Sequence, residues 1–294
     1  MSIEKLYEQV RNASPVTATS APPVVEQVAP GIRVLALRTP TLPPAAHTNV
    51  YLVGPDQGPV VAVDPGSPYP EEQAALDAVL ADLPIAAIAL THHHGDHIGG
   101  ANALAVRWGV PILAHAATAR RLDGIVEVTR ELADDETAYG MTAVFTPGHA
   151  EGHLCFDVVG AGATIAGDMV AGIGTILIDP SEGDMALYLA SLEKLLARPA
   201  ATLLPAHGPR IVDGPAKLRE YLAHRRMRED KVFGALAETW RTLGELVAIA
   251  YADTPRMLWP LAERSLRAHL DKLLAEGRAF FDDGANGQRW SVRL

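Results

Sequence analysis

Apolar residues in this chain recur first at every second position. Further on, short apolar runs alternate with stretches of helical spacing. Residues 24–28 and 32–37 read as strands parted by Pro30 and Gly31, a hairpin signal. A third strand, 48–53, ends at Gly54 and Pro55, and a fourth, 60–63, runs into Asp64, Pro65 and Gly66. Over 71–83, Ala75, Leu76, Val79, Leu80 and Leu83 share one helical face. The apolar run 85–90 predicts a buried strand. It is followed by a helix near 98–108, a strand at 110–113 and a helical stretch at 116–123. Strands follow at 142–146, 154–159 and 164–166, then a helix over 185–197 with Leu189, Leu192 and Leu196 inward, and a strand at 201–204. Hairpins first and mixed strands and helices afterwards imply stacked sheets flanked by helices, not one doubly wound sheet. Ahead of all this, a weakly amphipathic opening leads into 13–23, whose Pro, Ser and Thr predict an extended lead-in.

Past Pro215 the pattern changes. One long charged helix is predicted over 216–236. A second, 242–251, has Thr242 as N-cap and Glu245 at capping-box spacing. Helical stretches at 258–264 and 265–277 follow, the latter stopped by Gly277. Residues 278–294 read as a strand, a Gly/Asn turn and a strand. Helices followed by such a hairpin describe a winged-helix-like domain, so the chain is divided into 1–225 and 226–294.

Composition narrows the class. At 294 residues and 48% hydrophobic, the chain can bury a large core. Its single cysteine, Cys155, excludes an intrachain disulfide, fits a reducing compartment and reads as a small core hydrophobe. The opening residues lack the apolar core of a signal peptide, and no run is apolar enough to cross a bilayer, so a cytoplasmic protein with no membrane partner is expected. A net charge of −10 argues against a surface that grips nucleic acid. Residues 226–294 carry eleven Lys/Arg against ten Asp/Glu, a poor match to duplex DNA. The module is therefore expected to cover an active-site mouth or to support a homodimer.

The candidate chemistry sits in Thr91-His92-His93-His94-Gly95-Asp96-His97, directly after a buried strand. Imidazole and carboxylate together suit zinc, with manganese or iron as alternatives. His92 and His94 can close on one ion, while Asp96 and His97 diverge towards a second. Further donors stand at three other strand ends: His149 in Thr-Pro-Gly-His, Asp168 in Ala-Gly-Asp and His207 in Pro-Ala-His-Gly. The assignment satisfying two Zn2+ ions gives His92, His94 and His149 to the first and Asp96, His97 and His207 to the second. Asp168 and a hydroxide bridge them.

This ordered set resembles the metallo-β-lactamase superfamily, over roughly residues 24–212. The resemblance implies an α+β fold built as a four-layer αββα sandwich. Asp96 with His97 is similar to the dinuclear hydrolase type, including glyoxalase-II-like thioesterases, and β-lactam hydrolysis is not implied. Tyr188, Pro-Ala-His-Gly-Pro at 205–209, the stretch 221–229 and the winged-helix end are similar to the β-lactamase-like protein two branch. That branch includes a single-strand-specific endoribonuclease and enzymes that release polyketide acyl chains from carrier-protein thioesters.

The expected function is therefore dinuclear zinc hydrolysis of a thioester or ester, small or carrier-linked, by a metal-bridging hydroxide, with Asp96 orienting the attack. Single-stranded RNA cleavage is the alternative, and a DNA-binding regulator with a vestigial metal domain is a remoter one. Three further residues stay open. Asp64 is a turn residue or a partner orienting the metal loop. Asn49 is a strand-start polar residue or faces the pocket. His153 orients the following strand or faces substrate. His93, His47, His115, His224 and His269 read as structural, packing or surface histidines. Arg225, Arg226 and Arg228 read as a solvated face paired with Glu229 and Asp230.

Overall fold

The computed structural model describes residues 3–13, 24–284 and 287–292; the predicted lead-in beyond Ala13 and the tip of the last hairpin lie outside them. The opening segment is a helix, α1 (Ile3–Ala13), whose Leu6 and Val10, one turn apart, are buried. Strands β1 (Glu26–Ala29), β2 (Ile32–Arg38), β3 (His47–Val53) and β4 (Val60–Val63) pair antiparallel in sequence order. Helix α2 (Pro70–Leu80) then carries the chain over to β5 (Ile85–Ala89), which runs parallel to β4. The short α3 (Gly95–Ile98) and α4 (Ala101–Trp108) lead to β6 (Ile112–His115); α5 (Ala116–Arg121) leads to β7 (Arg130–Leu132), completing a seven-stranded sheet.

The second sheet holds β8 (Thr137–Ala138), β9 (Met141–Phe145), β10 (Leu154–Val158), β11 (Ala163–Gly167) and, after α6 (Met185–Leu196), β12 (Thr202–Pro205). Residues at alternate positions of both sheets fill the space between them: Tyr51, Val53, Val61, Val63, Ala87 and Ala89 face Ala143, Leu154, Phe156, Ile165 and Leu204. The outer face of the first sheet packs Val60, Ala62 and Ile88 on Leu76 and Leu80 of α2 and Leu104 of α4. The outer face of the second packs Val144, Cys155 and Ala166 on Tyr188 and Leu192 of α6 and on Leu218 and Leu222 of α7 (Gly214–Ala235). These are the four layers, αββα. Cys155 is fully buried, and burial pushes its thiol up to about 12, as a core hydrophobe should behave.

Two differences from the sequence reading have plain causes. The stretches 258–264 and 265–277 are one helix, α9 (Trp259–Ala275), because no breaker separates them and Ala262, Leu266, Leu270 and Leu273 form one buried stripe. Arg225, Arg226 and Arg228 of α7 are not one solvated face. Arg225 is buried, donates to the Ile176 carbonyl and lies over the Tyr188 ring; Arg228 is buried against Asp253 and Tyr251; of the three, only Arg226 is exposed, paired with Glu193. Helix α8 (Leu243–Ala250) carries the expected Thr242–Glu245 capping box. It packs with α9, β13 (Arg241–Thr242), β14 (Phe280–Gly284) and β15 (Gly287–Ser291) around the buried Trp290.

Strands β4, β5, β9, β11 and β12 all finish at the same end of the sandwich, and the two sheets are laced together there. Leu154 N donates to Thr91 O at 2.8 Å, and Asn49 N donates to Ala206 O at 2.8 Å. The turn after β4 lies so close to the metal loop that a Cβ on Gly66 would stand 1.8 Å from the Asp96 carbonyl oxygen. Gly66→Ala is expected to destabilise the fold by about 3 kcal/mol, read as a lower denaturant midpoint at unchanged m-value.

The module is tied to this end through Asp179, whose carboxylate accepts Arg264 Nε at 2.8 Å and Nη2 at 2.5 Å. Burial pushes that carboxyl up, but the hydrogen bonds from Arg264 and Ser181 outweigh it and hold it below its ordinary value. Stability from this pair is thus fully present above the unfolded carboxyl pKa, roughly 3.9, and is lost as pH falls below it. Asp179→Asn is expected to cost about 2 kcal/mol at pH 7. In urea titrations the gap from wild type should close below about pH 4.

Candidate metal centre

Each candidate donor is placed by a strand end. The chain leaves β5 through Thr91 to His94; His94, in extended conformation, is the N-cap of α3, whose single turn carries Asp96 and His97. His149 follows β9 in a turn where Gly148 adopts φ +131°; a Cβ there would meet Tyr188 N at 2.2 Å, so this turn seats directly on α6. Asp168 follows Gly167 at the end of β11, and His207 follows Pro205 and Ala206 at the end of β12.

These turns bring all seven predicted donors together in two adjoining groups. In the first, ligand atoms of His92, His94, His149 and Asp168 lie within 4.8 Å of one another. His92 Nε2 is 2.8 Å from His94 Nδ1, His149 Nε2 is 3.0 Å from the same atom, and Asp168 Oδ2 is 3.4 Å from His149 Nε2. In the second, Asp96, His97 and His207 meet the same 4.8 Å limit. His207 Nε2 is 3.5 Å from Asp96 Oδ2 and 3.4 Å from Asp168 Oδ1, and His97 Nε2 is 3.7 Å from Asp168 Oδ1. Asp168 therefore turns one oxygen to each group.

Behind the donors stands a layer of anchors. Each converging imidazole presents one nitrogen inward and commits the other. His92 Nδ1 meets Thr91 Oγ1 at 3.0 Å, His97 Nδ1 meets Asp64 Oδ2 at 2.8 Å, and His94 Nε2 meets Glu182 Oε1 at 2.8 Å. His149 Nδ1 donates to Leu177 O at 2.9 Å and His207 Nδ1 to His47 O at 3.0 Å. Such partners fix which nitrogen is free and where it points.

The three open residues fall into this layer. Asp64, at φ +51°, accepts from Thr91 N at 2.8 Å and Thr91 Oγ1 at 2.6 Å as well as holding His97. Asn49 donates to Pro205 O at 2.9 Å and Gly208 O at 2.8 Å, bracing the turn that carries His207. His153 is fully buried; its Nδ1 meets Thr146 Oγ1 at 2.9 Å and its Nε2 accepts from Asp168 N at 3.1 Å. It thus orients the Asp168 turn.

His93 faces away from both groups onto Glu182 Oε2 at 3.0 Å. Glu182 was not picked out from the sequence: Pro-Ser-Glu-Gly-Asp at 180–184 reads as an ordinary helix approach, and no apolar strand points to it.

Charge in the site is strongly coupled. Burial, then the neighbouring imidazoles, holds His92 well below its ordinary value and His149 at about 4. Burial also opposes the charging of His97, but Asp64, Asp96 and Asp168 outweigh it and raise it to about 10. Burial would raise Asp168, yet His207, His97 and His149 bring it far below the carboxylate range. Two inward atoms, His97 Nε2 and Asp168 Oδ1, are buried with no hydrogen-bond partner. Nitrogen and carboxylate donors aimed at common points, with orphaned atoms among them, fit a pair of divalent cations. No helix among the described residues is long and apolar enough to cross a membrane.

Comparison with known proteins agrees with this geometry. The family model described as metallo-beta-lactamase superfamily matches residues 43–207, and that of the beta-lactamase associated winged helix domain matches 242–290. The lactamase-like protein vrtG of Penicillium aethiopicum is 32% identical over 285 residues, covering 91% of this chain and 89% of its own. An atrochrysone carboxyl ACP thioesterase of Aspergillus chevalieri is 31% identical over 257 residues, 83% of this chain and 81% of its own. A beta-lactamase domain protein from Burkholderia ambifaria superposes with a TM-score of 0.81 at 23% identity, over 94% of this chain and 95% of its own, and so shares the fold. With its four-layer sandwich, its His/Asp cluster suited to two metal ions and its winged-helix tail, this chain belongs to the metallo-beta-lactamase superfamily of hydrolases.

Proposed function

We propose that this chain is a dinuclear zinc hydrolase of thioesters or esters, with an acyl group on a carrier protein as its substrate. The observation that carries the reaction type is Asp168 turning one carboxylate oxygen towards His149, in the group with His92 and His94, and the other towards His207, in the group with Asp96 and His97. The substrate class is supported by the thioesterase relative, which matches over 83% of this chain.

His92, His94 and His149 would hold one ion, Asp96, His97 and His207 the other, with Asp168 between them. Bound there, two divalent cations supply Lewis acidity and make water acidic enough to give hydroxide near neutrality, its pKa falling from 15.7 to about 7 on zinc. The protein's own part is positioning and proton handling. Asp168 and its His153 brace fix the spacing of the two groups. Burial pushes the Asp96 carboxyl up, but the imidazoles of His97 and His207 outweigh it and keep it ionised. It can therefore align a water for attack on the acyl carbon and take up its proton. The C–S bond then breaks, and that proton leaves with the thiol.

Nucleic acid fits less well. Arg228, Arg264, Arg267, Lys272, Arg278 and Arg289 of the tail are each paired with a carboxylate within the chain, which leaves little of its positive charge for phosphates.

The decisive assay offers the zinc-loaded protein acyl-carrier-protein thioesters, acyl-CoA and single-stranded RNA. Thioester cleavage is expected; RNA cleavage without it would overturn the substrate class. Elemental analysis of protein purified without chelators should find about two transition-metal ions per chain, and protein that neither holds nor takes up metal would overturn the whole reading. Asp96→Ala and His207→Ala should each lower kcat by a factor on the order of 10² to 10⁴, while the far-ultraviolet circular dichroism stays that of the wild type.

A further inference from the structure

Four of the five converging imidazoles are anchored by groups within the sandwich. His92 uses Thr91, His97 uses Asp64, His149 uses the Leu177 carbonyl and His207 the His47 carbonyl. His94 differs: its outward nitrogen meets a carboxylate from a distant turn, Glu182 Oε1 at 2.8 Å, and the other oxygen of that carboxylate meets His93 Nε2 at 3.0 Å. One carboxylate thus spans two consecutive histidines of the metal loop.

The turn bearing Glu182 is itself held from outside the sandwich. Glu182 N and Gly183 N donate to Asp179 O at 3.2 and 2.7 Å, and Asp184 N donates to Gly148 O at 2.8 Å. Ser181 closes on Asp179 Oδ1 through its backbone N at 2.9 Å and its hydroxyl at 2.6 Å. The same Asp179 carboxylate is gripped by the fork of Arg264, which belongs to α9 of the winged-helix module. A connected path of hydrogen bonds therefore runs from the module to a metal-facing imidazole.

We propose that Glu182 is a positioning residue that fixes the direction of His94 Nδ1, and that Arg264 of the winged-helix module holds Glu182 in place through Asp179. This rests on the dinuclear reading above. A carboxylate behind an imidazole orients the ring and makes its free nitrogen a better donor. Arg suits the far end of the path because its planar fork fixes the carboxylate of Asp179 in direction as well as in distance. The module thus contributes to the metal centre without supplying a ligand.

The test uses the full chain stripped of metal and titrated with Zn2+ alone against a chromogenic chelator. The visible spectrum of the Co2+-substituted protein reports ligand geometry, and a thermal melt monitors folding. Glu182→Ala should weaken zinc binding about 10- to 100-fold and alter the Co2+ bands. Glu182→Gln, whose amide oxygen still accepts from His94, should recover most of that affinity. Arg264→Ala should weaken zinc binding several-fold in the same direction. Wild-type affinity and spectrum in folded Glu182→Ala would overturn the role of Glu182, and wild-type affinity in folded Arg264→Ala would overturn the relay. Three zinc ions in the wild type falling to two in Glu182→Ala would make His93, His94 and Glu182 an ion site of their own and also overturn the proposal. A wild type that takes up no zinc would instead sink the hydrolase reading itself, so the two failures are distinguishable.

Discussion

Gathering five imidazoles and two carboxylates at one buried place is the constraint that the rest of this structure answers to. Such groups lose their hydration on burial, and only mutual pairing, hydrogen bonds or bound cations compensate. The sandwich meets this by ending five strands at one edge and lacing the two sheets together there with backbone hydrogen bonds. His92, His149, Asp168 and His207 each follow a strand by one to four residues, and Asp96 and His97 ride on the single turn of α3, so their positions are set by regular structure and not by a long loop. The glycines at 66 and 148 serve the same end: any side chain there would occupy space that the metal loop or α6 already fills.

The same constraint explains the layer behind the donors. An imidazole with both nitrogens free can rotate and change tautomer, which would spoil the convergence. Here every converging ring is fixed through its outer nitrogen by a carbonyl, a hydroxyl or a carboxylate. Asp64 shows how much one anchor can do: it holds His97 and both the backbone and the hydroxyl of Thr91, and Thr91 in turn accepts Leu154 N from the opposite sheet. Fold and site thus share their hydrogen bonds.

Much of this was legible in the chain itself. The strand-ending turns at 91–97, 147–149, 167–168 and 205–208 announce themselves by apolar runs meeting Gly, His and Asp, and those turns are where the structure brings the donors together. The capping box of α8 was legible because it is purely local. What stayed hidden depends on distant partners. Glu182 has no local signature, since its role exists only once the turn at 179–184 lies against the metal loop. Asn49 looks like any polar residue at a strand start until Pro205 and Gly208 arrive across the sandwich. Arg225 and Arg228 were misread because charge in a helix predicts exposure; the carbonyl of Ile176, the carboxylate of Asp253 and the rings of Tyr188 and Tyr251 make their burial tolerable. The strands β7, β8 and β13 are two or three residues long, too short for periodicity to register.

The module's place follows from α7. This helix begins against the outer face of the second sheet, with Leu218, Tyr221 and Leu222 in the core there, and ends with Val232 and Ala235 in the core around Trp290. It is unbroken through residues 225 and 226, so no loop separates the two cores along the chain. Tyr221 lies in the same stretch, and its hydroxyl oxygen accepts from Ala171 N at 2.9 Å, just past Asp168. Burying apolar residues of one helix in both cores couples their stabilities, because neither can unfold without exposing part of the other's packing. A tail joined so closely shares its packing with the sandwich, and the Arg264–Asp179 pair ties it to the turn whose Glu182 meets His93 and His94.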